Sequence, residues 1–304
     1  MPQAPASLKS LPGARRLRSK SPEAMDLARL KQIIDDIRTV RPWPPIARRV
    51  LQLSTSPEVS SEDLVQLIQL DAALTAGVLR LCNSAAYGFQ REVASLPEAA
   101  TRLGSEAVVQ LVLASCVEES VEESPLTPAR RRELWETSLR TALTAHFLAV
   151  RQGKVLPEVA YTAGLLCQFG YLVLEPHLEP CRAELGELLD GGADRASAER
   201  ELLGIEHATV AGRMMRRWEF PEHLVDAVEH HHSPRRAAVE PQLAALLHLA
   251  ERLAEVVGSG GDVRSLAACS EALELTGLDP ESLQGYEVAL QLEMARATEL
   301  AAAP

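Results

Sequence analysis

The chain has 304 residues, 46% of them hydrophobic and 24% charged, with a formal charge of −11. That is apolar material for one large domain or two modest ones. The acidic balance and an aromatic content of only 4% exclude general nucleic-acid binding, which needs clustered cations and stacking platforms.

No apolar run approaches the roughly 20 residues that cross a bilayer, and the first residues lack the apolar centre of a secretory signal, so a cytoplasmic protein without membrane contact is expected. The five cysteines, Cys82, Cys116, Cys167, Cys181 and Cys269, are odd in number, far apart and set among apolar residues. They read as reduced thiols rather than a disulfide framework or a metal knuckle.

Residues 1–22 form a basic tail, with Lys9, Arg15, Arg16, Arg18 and Lys20 among Pro, Gly, Ala and Ser. It reads as disordered, either a solvated terminus or a weak electrostatic contact for an acidic partner. Ser21-Pro22-Glu23 is a helix start, and Leu27, Leu30, Ile33, Ile34 and Ile37 follow at helical spacing. Arg41-Pro42-Trp43-Pro44-Pro45 is a stiff connector, because each proline lacks a donor and restricts its predecessor. Ser60, Asp71 and Ser95 are expected N-caps of three further helices, and Gly104 stops the last of them before a helix bearing Val108 to Leu113. These elements make an N-terminal helical subdomain over 23–124, closed by the acidic run Glu118 to Pro125.

A second helical subdomain is expected over 125–258. Thr127-Pro128 opens a long helix that ends at Gly153. A helix over Gly164 to Leu174 follows, then helical segments around Glu184 to Leu203 and Ala208 to Trp218. Pro221-Glu222 starts a helix running into His230-His231-His232, and Leu243 to Val256 mark one more. Residues 262–304 read as a helical extension. No segment alternates like a strand, so the fold class is all-α.

Several of these residues in order carry a family resemblance. Leu79-Arg80-Leu81-Cys82-Asn83-Ser84-Ala85-Ala86-Tyr87-Gly88, then Ser95-Leu96-Pro97-Glu98 and Leu103-Gly104, resemble the signature of the HDOD family, the HD-related output domains of bacterial signalling proteins. Trp135, Gly164-Leu165-Leu166, Glu206-His207-Ala208, Trp218 with Pro221, and His231-His232 with Pro234 extend the resemblance across Ala28 to Val257. It implies an HD-phosphohydrolase-like helical core with an added N-terminal helical subdomain, acting in signal transduction.

HD enzymes hold divalent cations with a His, a His-Asp pair, further histidines and a closing Asp. The metal generates the hydroxide that attacks phosphate. By the resemblance the first His position holds Thr137, the His-Asp pair is Cys167-Gln168, and the closing Asp is Glu251, while His207, His231 and His232 stand at downstream histidine positions. Gln168 is neutral where an anionic bridge is needed, and Thr137 offers only a hydroxyl. Consecutive helical residues point about 100° apart, so His231 and His232 are not expected to face one ion unless the helix frays there. They are expected instead at helix ends, bonded to free carbonyls. Asn83, Ser84, Tyr87 and Gly88 read as a helix stop and turn, with Asn83 and Ser84 expected to tie the two subdomains together and Tyr87 expected in the core or at a partner surface.

The expected protein is therefore a non-catalytic signalling module, with no metal and no cofactor, that binds another signalling or regulatory protein. A metal-dependent phosphodiesterase or nucleotidase with rearranged ligands, and a sensor holding a small nucleotide in the vestigial pocket, are the alternatives.

Overall fold

The computed structural model describes residues 27–54, 60–279, 281, 283 and 287–302. The basic tail and the Ser21-Pro22-Glu23 helix start lie outside the described residues. Among the described residues all regular structure is helical, with no strand, and no single helix is long and apolar enough to cross a membrane.

Six helices make the N-terminal part: α1 (Leu27–Asp36), α2 (Pro45–Ser54), α3 (Ser61–Gln69), α4 (Ala72–Cys82), α5 (Leu96–Leu103) and α6 (Ser105–Glu122). The expected caps form. The Ser60 hydroxyl accepts from Asp63 N, and Asp63 reaches back to Ser60 N, closing a capping box. Asp71 accepts from Leu74 N and Ser95 from Glu98 N, each satisfying a donor the helix leaves free. The helix α6 buries Val108, Leu111, Val112, Leu113, Cys116 and Val117, so its apolar surface wraps most of the way round, as a central helix requires. The acidic run expected to interrupt the pattern is helical through Glu122. Its carboxylates pair with Arg80, Arg41 and Arg131.

The second part is built on α7 (Pro128–Gln152) and α8 (Pro157–Leu166), which pack along each other. Gly164 makes that approach possible, because a Cβ there would meet the Ala142 Cα at 2.9 Å and the Thr141 carbonyl at 3.0 Å. Then follow α9 (Tyr171–Leu178), α10 (Arg182–Asp190), α11 (Arg195–Leu203), α12 (His207–Arg217), α13 (Glu222–His230), α14 (Pro241–Gly258), α15 (Ser270–Thr276) and α16 (Glu287–Ala301). The helix α14 lies against α7, α8 and α13. The C-terminal helix α16 is no loose appendage, since it packs on α7 and α14 and buries Leu290, Ala297 and Leu300.

Two expectations are corrected. The single helix expected over Gly164 to Leu174 is broken: α8 stops at Leu166, and Cys167–Gly170 form a 3-10 turn before α9. Leu165, Leu166, Phe169 and Leu172 are nevertheless buried.

The second correction concerns Asn83, which does not tie the two parts together. Its amide bonds both backbone groups of Val93, donating to the carbonyl at 3.0 Å and accepting from the N–H at 2.7 Å, so it closes a loop within the N-terminal part. Ser84 is buried and its hydroxyl has no hydrogen-bond partner. Gly88 takes a left-handed φ of 59° after the turn Ala85–Tyr87. Tyr87 stacks on Phe89 and lies under Arg296 of α16, so the C-terminal helix covers it.

The joint runs through the proline connector instead. Trp43 sits edge-on to Phe169 and Phe220, with ring centroids 5.8 and 5.1 Å away. Around it, Arg217 donates to Val40 O at 3.0 Å, Arg48 pairs with Glu219 at 2.8 Å and His177 meets Asp36 at 2.8 Å. A buried tryptophan ringed by polar contacts fixes orientation as well as burying area.

Candidate functional site

Glu251 projects from α14 into a space bounded by the start of α12, the end of α13 and the turn Cys167–Gly170. Four residues, His207, His231, His232 and Glu251, bring one donor atom each within 4.8 Å of one another. His207 Nε2 is 3.5 Å from Glu251 Oε1 and 3.1 Å from His232 Nε2. From Glu251 Oε2, His231 Nε2 lies at 3.4 Å and His232 Nε2 at 3.6 Å.

The expected divergence of His231 and His232 fails for a local reason: α13 ends at His230, so His232 lies beyond the helix and its direction is set by the turn. Of the expected bonds to helix-end carbonyls, His231 Nδ1 donates to Val228 O at 2.7 Å and the neighbouring His230 Nδ1 to Asp226 O at 2.9 Å, whereas His232 meets His207 instead.

Close approach of backbone makes the site possible at Gly170. A Cβ on that residue would lie 2.0 Å from the His207 carbonyl oxygen, so only glycine lets the turn rest on the first residue of α12. That contact sets the height of His207 relative to Gln168.

Gln168 is buried and its amide nitrogen donates to Glu251 Oε1 at 2.7 Å. Cys167 is fully buried, and its thiol donates to Gly164 O at 3.1 Å. Burial pushes that thiol well above its ordinary range, with the Glu251 charge adding to the effect, so the sulfur is a neutral S–H. Thr137 is half-buried on α7 and is not bonded to the cluster. Of the positions singled out in the sequence, then, Gln168, His207, His231, His232 and Glu251 come together, while the Cys167 thiol bonds to Gly164 O.

The structure adds residues the sequence reading missed. Glu199, on α11 and wholly buried, receives both the backbone N–H and the Nδ1–H of His207, at 2.9 and 2.8 Å, and the Tyr171 hydroxyl at 2.6 Å. Arg195 donates to the same hydroxyl at 2.9 Å. His248, one turn before Glu251, places its ring 5.7 Å from that of His232. A signal for Glu199 did exist: it shares a helix face with Ala196 and Leu203, both buried, and a carboxylate on an apolar face needs a partner.

Electrostatics follow from this arrangement. Burial alone would drive His207 toward the neutral form, but Glu199 and Glu251 on either side outweigh it and push its pKa up to about 10. Burial lowers His232 well below the usual imidazole value, and neighbouring His231 acts in the same direction. Glu251 is held well below the carboxylate range, because the surrounding imidazoles overcome the burial that opposes ionisation. One imidazolium thus lies between two carboxylates, with a neutral imidazole beside it.

Gln168, at the position that the resemblance gives to a bridging carboxylate, is a neutral amide already engaged with Glu251.

Fold and site together define an all-helical, HD-like protein. The profile of the HDOD domain matches residues 40–234, and the chain belongs to that family. Among solved structures it is similar to an HDOD domain protein of unknown function from Geobacter sulfurreducens, with a TM-score of 0.71 at 22% identity over 90% of this chain and 98% of that one. A Shewanella amazonensis SB2B protein that bears the name of a phosphohydrolase aligns with a TM-score of 0.69 at 27% identity, over 91% of this chain and all of the other. A Marinobacter aquaeolei VT8 protein named for signal transduction aligns with a TM-score of 0.71 at 23% identity, over 92% of this chain and 65% of that one. An uncharacterized protein of Treponema pallidum (strain Nichols) is 28% identical over 212 residues, 68% of this chain but 40% of its own length.

Proposed function

We propose that this chain is a non-catalytic signalling module that acts by binding another signalling or regulatory protein, its HD-like core serving as scaffold. The observation that carries the reading is the Gln168 amide donating to Glu251 at 2.7 Å. Where hydrolysis needs an anionic ligand bridging metal ions, this chain puts a neutral donor that ties down the remaining carboxylate. The signalling assignment draws its support from family membership and from the relative named for signal transduction.

The test has two arms. Purified protein assayed with manganese, iron or zinc against cyclic dinucleotides and generic phosphodiesters should show no turnover above buffer; turnover lost on Glu251→Gln would promote the enzyme instead. A thermal-shift panel of nucleotides should leave the midpoint unmoved, since a ligand that binds the native state raises it. A clear rise would favour the nucleotide sensor.

A further inference from the structure

We infer that His207, His231, His232 and Glu251 form a closed, four-donor site for one divalent transition-metal ion of the zinc type, clamping α12, the end of α13 and α14 together. Four donors about 2.0–2.1 Å from a tetrahedral ion lie about 3.3–3.4 Å from one another. The contacts from His207 to His232 and from the three imidazoles to Glu251 are 3.1, 3.5, 3.4 and 3.6 Å. His207 meets Oε1 of Glu251 and the other two imidazoles meet Oε2, with the four donors within 4.8 Å of one another, so side-chain rotations bring them onto one tetrahedron.

A second observation is independent of these distances. His231 is wholly buried, yet its Nε2 has no hydrogen-bond partner, and neither does Glu251 Oε2. The two atoms face each other at 3.4 Å without the alignment of a hydrogen bond. Buried polar atoms left in that state are uncommon and require a reason; a cation between them and the other two imidazoles supplies one.

The outer contacts are those a metal site uses. A ligating histidine typically gives its other ring N–H to a carboxylate or a backbone carbonyl. Here His207 Nδ1 is 2.8 Å from the Glu199 carboxylate and His231 Nδ1 is 2.7 Å from Val228 O, so both rings aim Nε2 inward. Gln168 orients the Glu251 carboxylate in the same way. As a ligand His207 is neutral, so the ion takes the place of the imidazolium charge between Glu199 and Glu251.

Four protein donors fill a tetrahedral shell, the mark of a structural rather than a hydrolytic ion. The Cys167 thiol, bonded to Gly164 O, takes no part. Entry is from the side of His232 and Glu251, whose side chains are 10% and 16% exposed while His207 and His231 are sealed. The site goes beyond the proposed function and does not depend on it.

The full chain, stripped with a chelator, is titrated with cobalt(II) and then zinc. The expected result is one cobalt per chain with the intense visible bands of a tetrahedral nitrogen and oxygen shell, displaced by zinc. His232→Ala should weaken zinc binding more than about tenfold and Glu199→Gln by about 10–100-fold, with Cys167→Ser unchanged. Sub-stoichiometric binding, a weak octahedral spectrum, or loss of binding in Cys167→Ser with His232→Ala unaffected overturns the inference. If His232→Ala does not fold, the wild type decides, because zinc must shift the Nε2 resonances of three imidazoles and fewer than three sinks the site. Metal bound with phosphodiesterase turnover keeps this inference and overturns the proposed function; no metal and no turnover does the reverse.

Discussion

Asp226 shows how one side chain sets the position of a distant one. Its carboxylate accepts from the backbone N–H groups of Val239 and Glu240 at 2.7 and 3.1 Å, and from Ala238 at 3.3 Å. These amides lead into the N-terminus of α14, where a negative charge is favoured, and α14 carries Glu251. Burial opposes ionisation of Asp226, but the three amides outweigh it and hold its carboxyl below the ordinary range. A depressed folded pKa gives stability that is complete above the unfolded value of about 3.9 and is lost as pH falls through the lower folded value. Asp226→Ala is expected to cost on the order of 1–3 kcal/mol at pH 7 through amides left unpaired, and the gap to wild type should narrow below about pH 4. Urea melts at pH 7 and at pH 3 check this; a constant gap would remove the charge from the argument. Asn83→Ala is expected to cost about 1 kcal/mol or somewhat more, because both backbone groups of Val93 lose their partner, and thermal melts read it directly.

At the scale of elements, what the sequence made legible was whatever the chain decides locally. Ser60, Asp71 and Ser95 are caps because a side-chain oxygen three residues upstream of an amide has little else to do. What stayed hidden depends on where separate helices meet. The break after Leu166 has no proline to announce it; its cause is the His207 backbone, 37 positions later, resting on Gly170. Glu199 stands 8 positions before His207 on a separate helix, and its place on an apolar face called for a partner without saying that the partner is the first residue of α12. The end of α13 at His230 decided whether two histidines converge, and helix ends are the least legible feature of any pattern. Gly170→Ala tests the contact itself. With a Cβ placed 2.0 Å from the His207 carbonyl oxygen, the turn or α12 must shift, at an expected cost of about 1–3 kcal/mol. The imidazole resonances of His207 and His232 should move with it, and an unchanged spectrum would show that the turn has room to yield.

Across the whole molecule, the composition and the helical periodicity fixed an all-α fold, yet the packing of the last helix was not legible, because an amphipathic stripe says that a partner exists and not which surface it is. The stripe Leu290, Met294, Ala297 and Leu300 is buried, against α7 and α14. Thr298 donates to Glu136 of α7 at 2.8 Å, and Arg296 lies over the ring of Tyr87. One helix thus touches the centre of the second part and the turn that follows α4 in the first. Removing residues 287–304 strips that cover from both. Burial of Leu290, Met294 and Leu300 is worth about 1.5–3 kcal/mol each as an upper figure, and the surfaces of α7 and Tyr87 beneath them become exposed apolar area. The truncated chain is therefore expected to melt well below the full one, to bind a hydrophobic dye and to lose solubility. Differential scanning fluorimetry of the two chains, with circular dichroism to confirm retained helix, makes the comparison. An unchanged midpoint would mean that α16 lies on the core without stabilising it, and the Tyr87 surface would then be free for a partner.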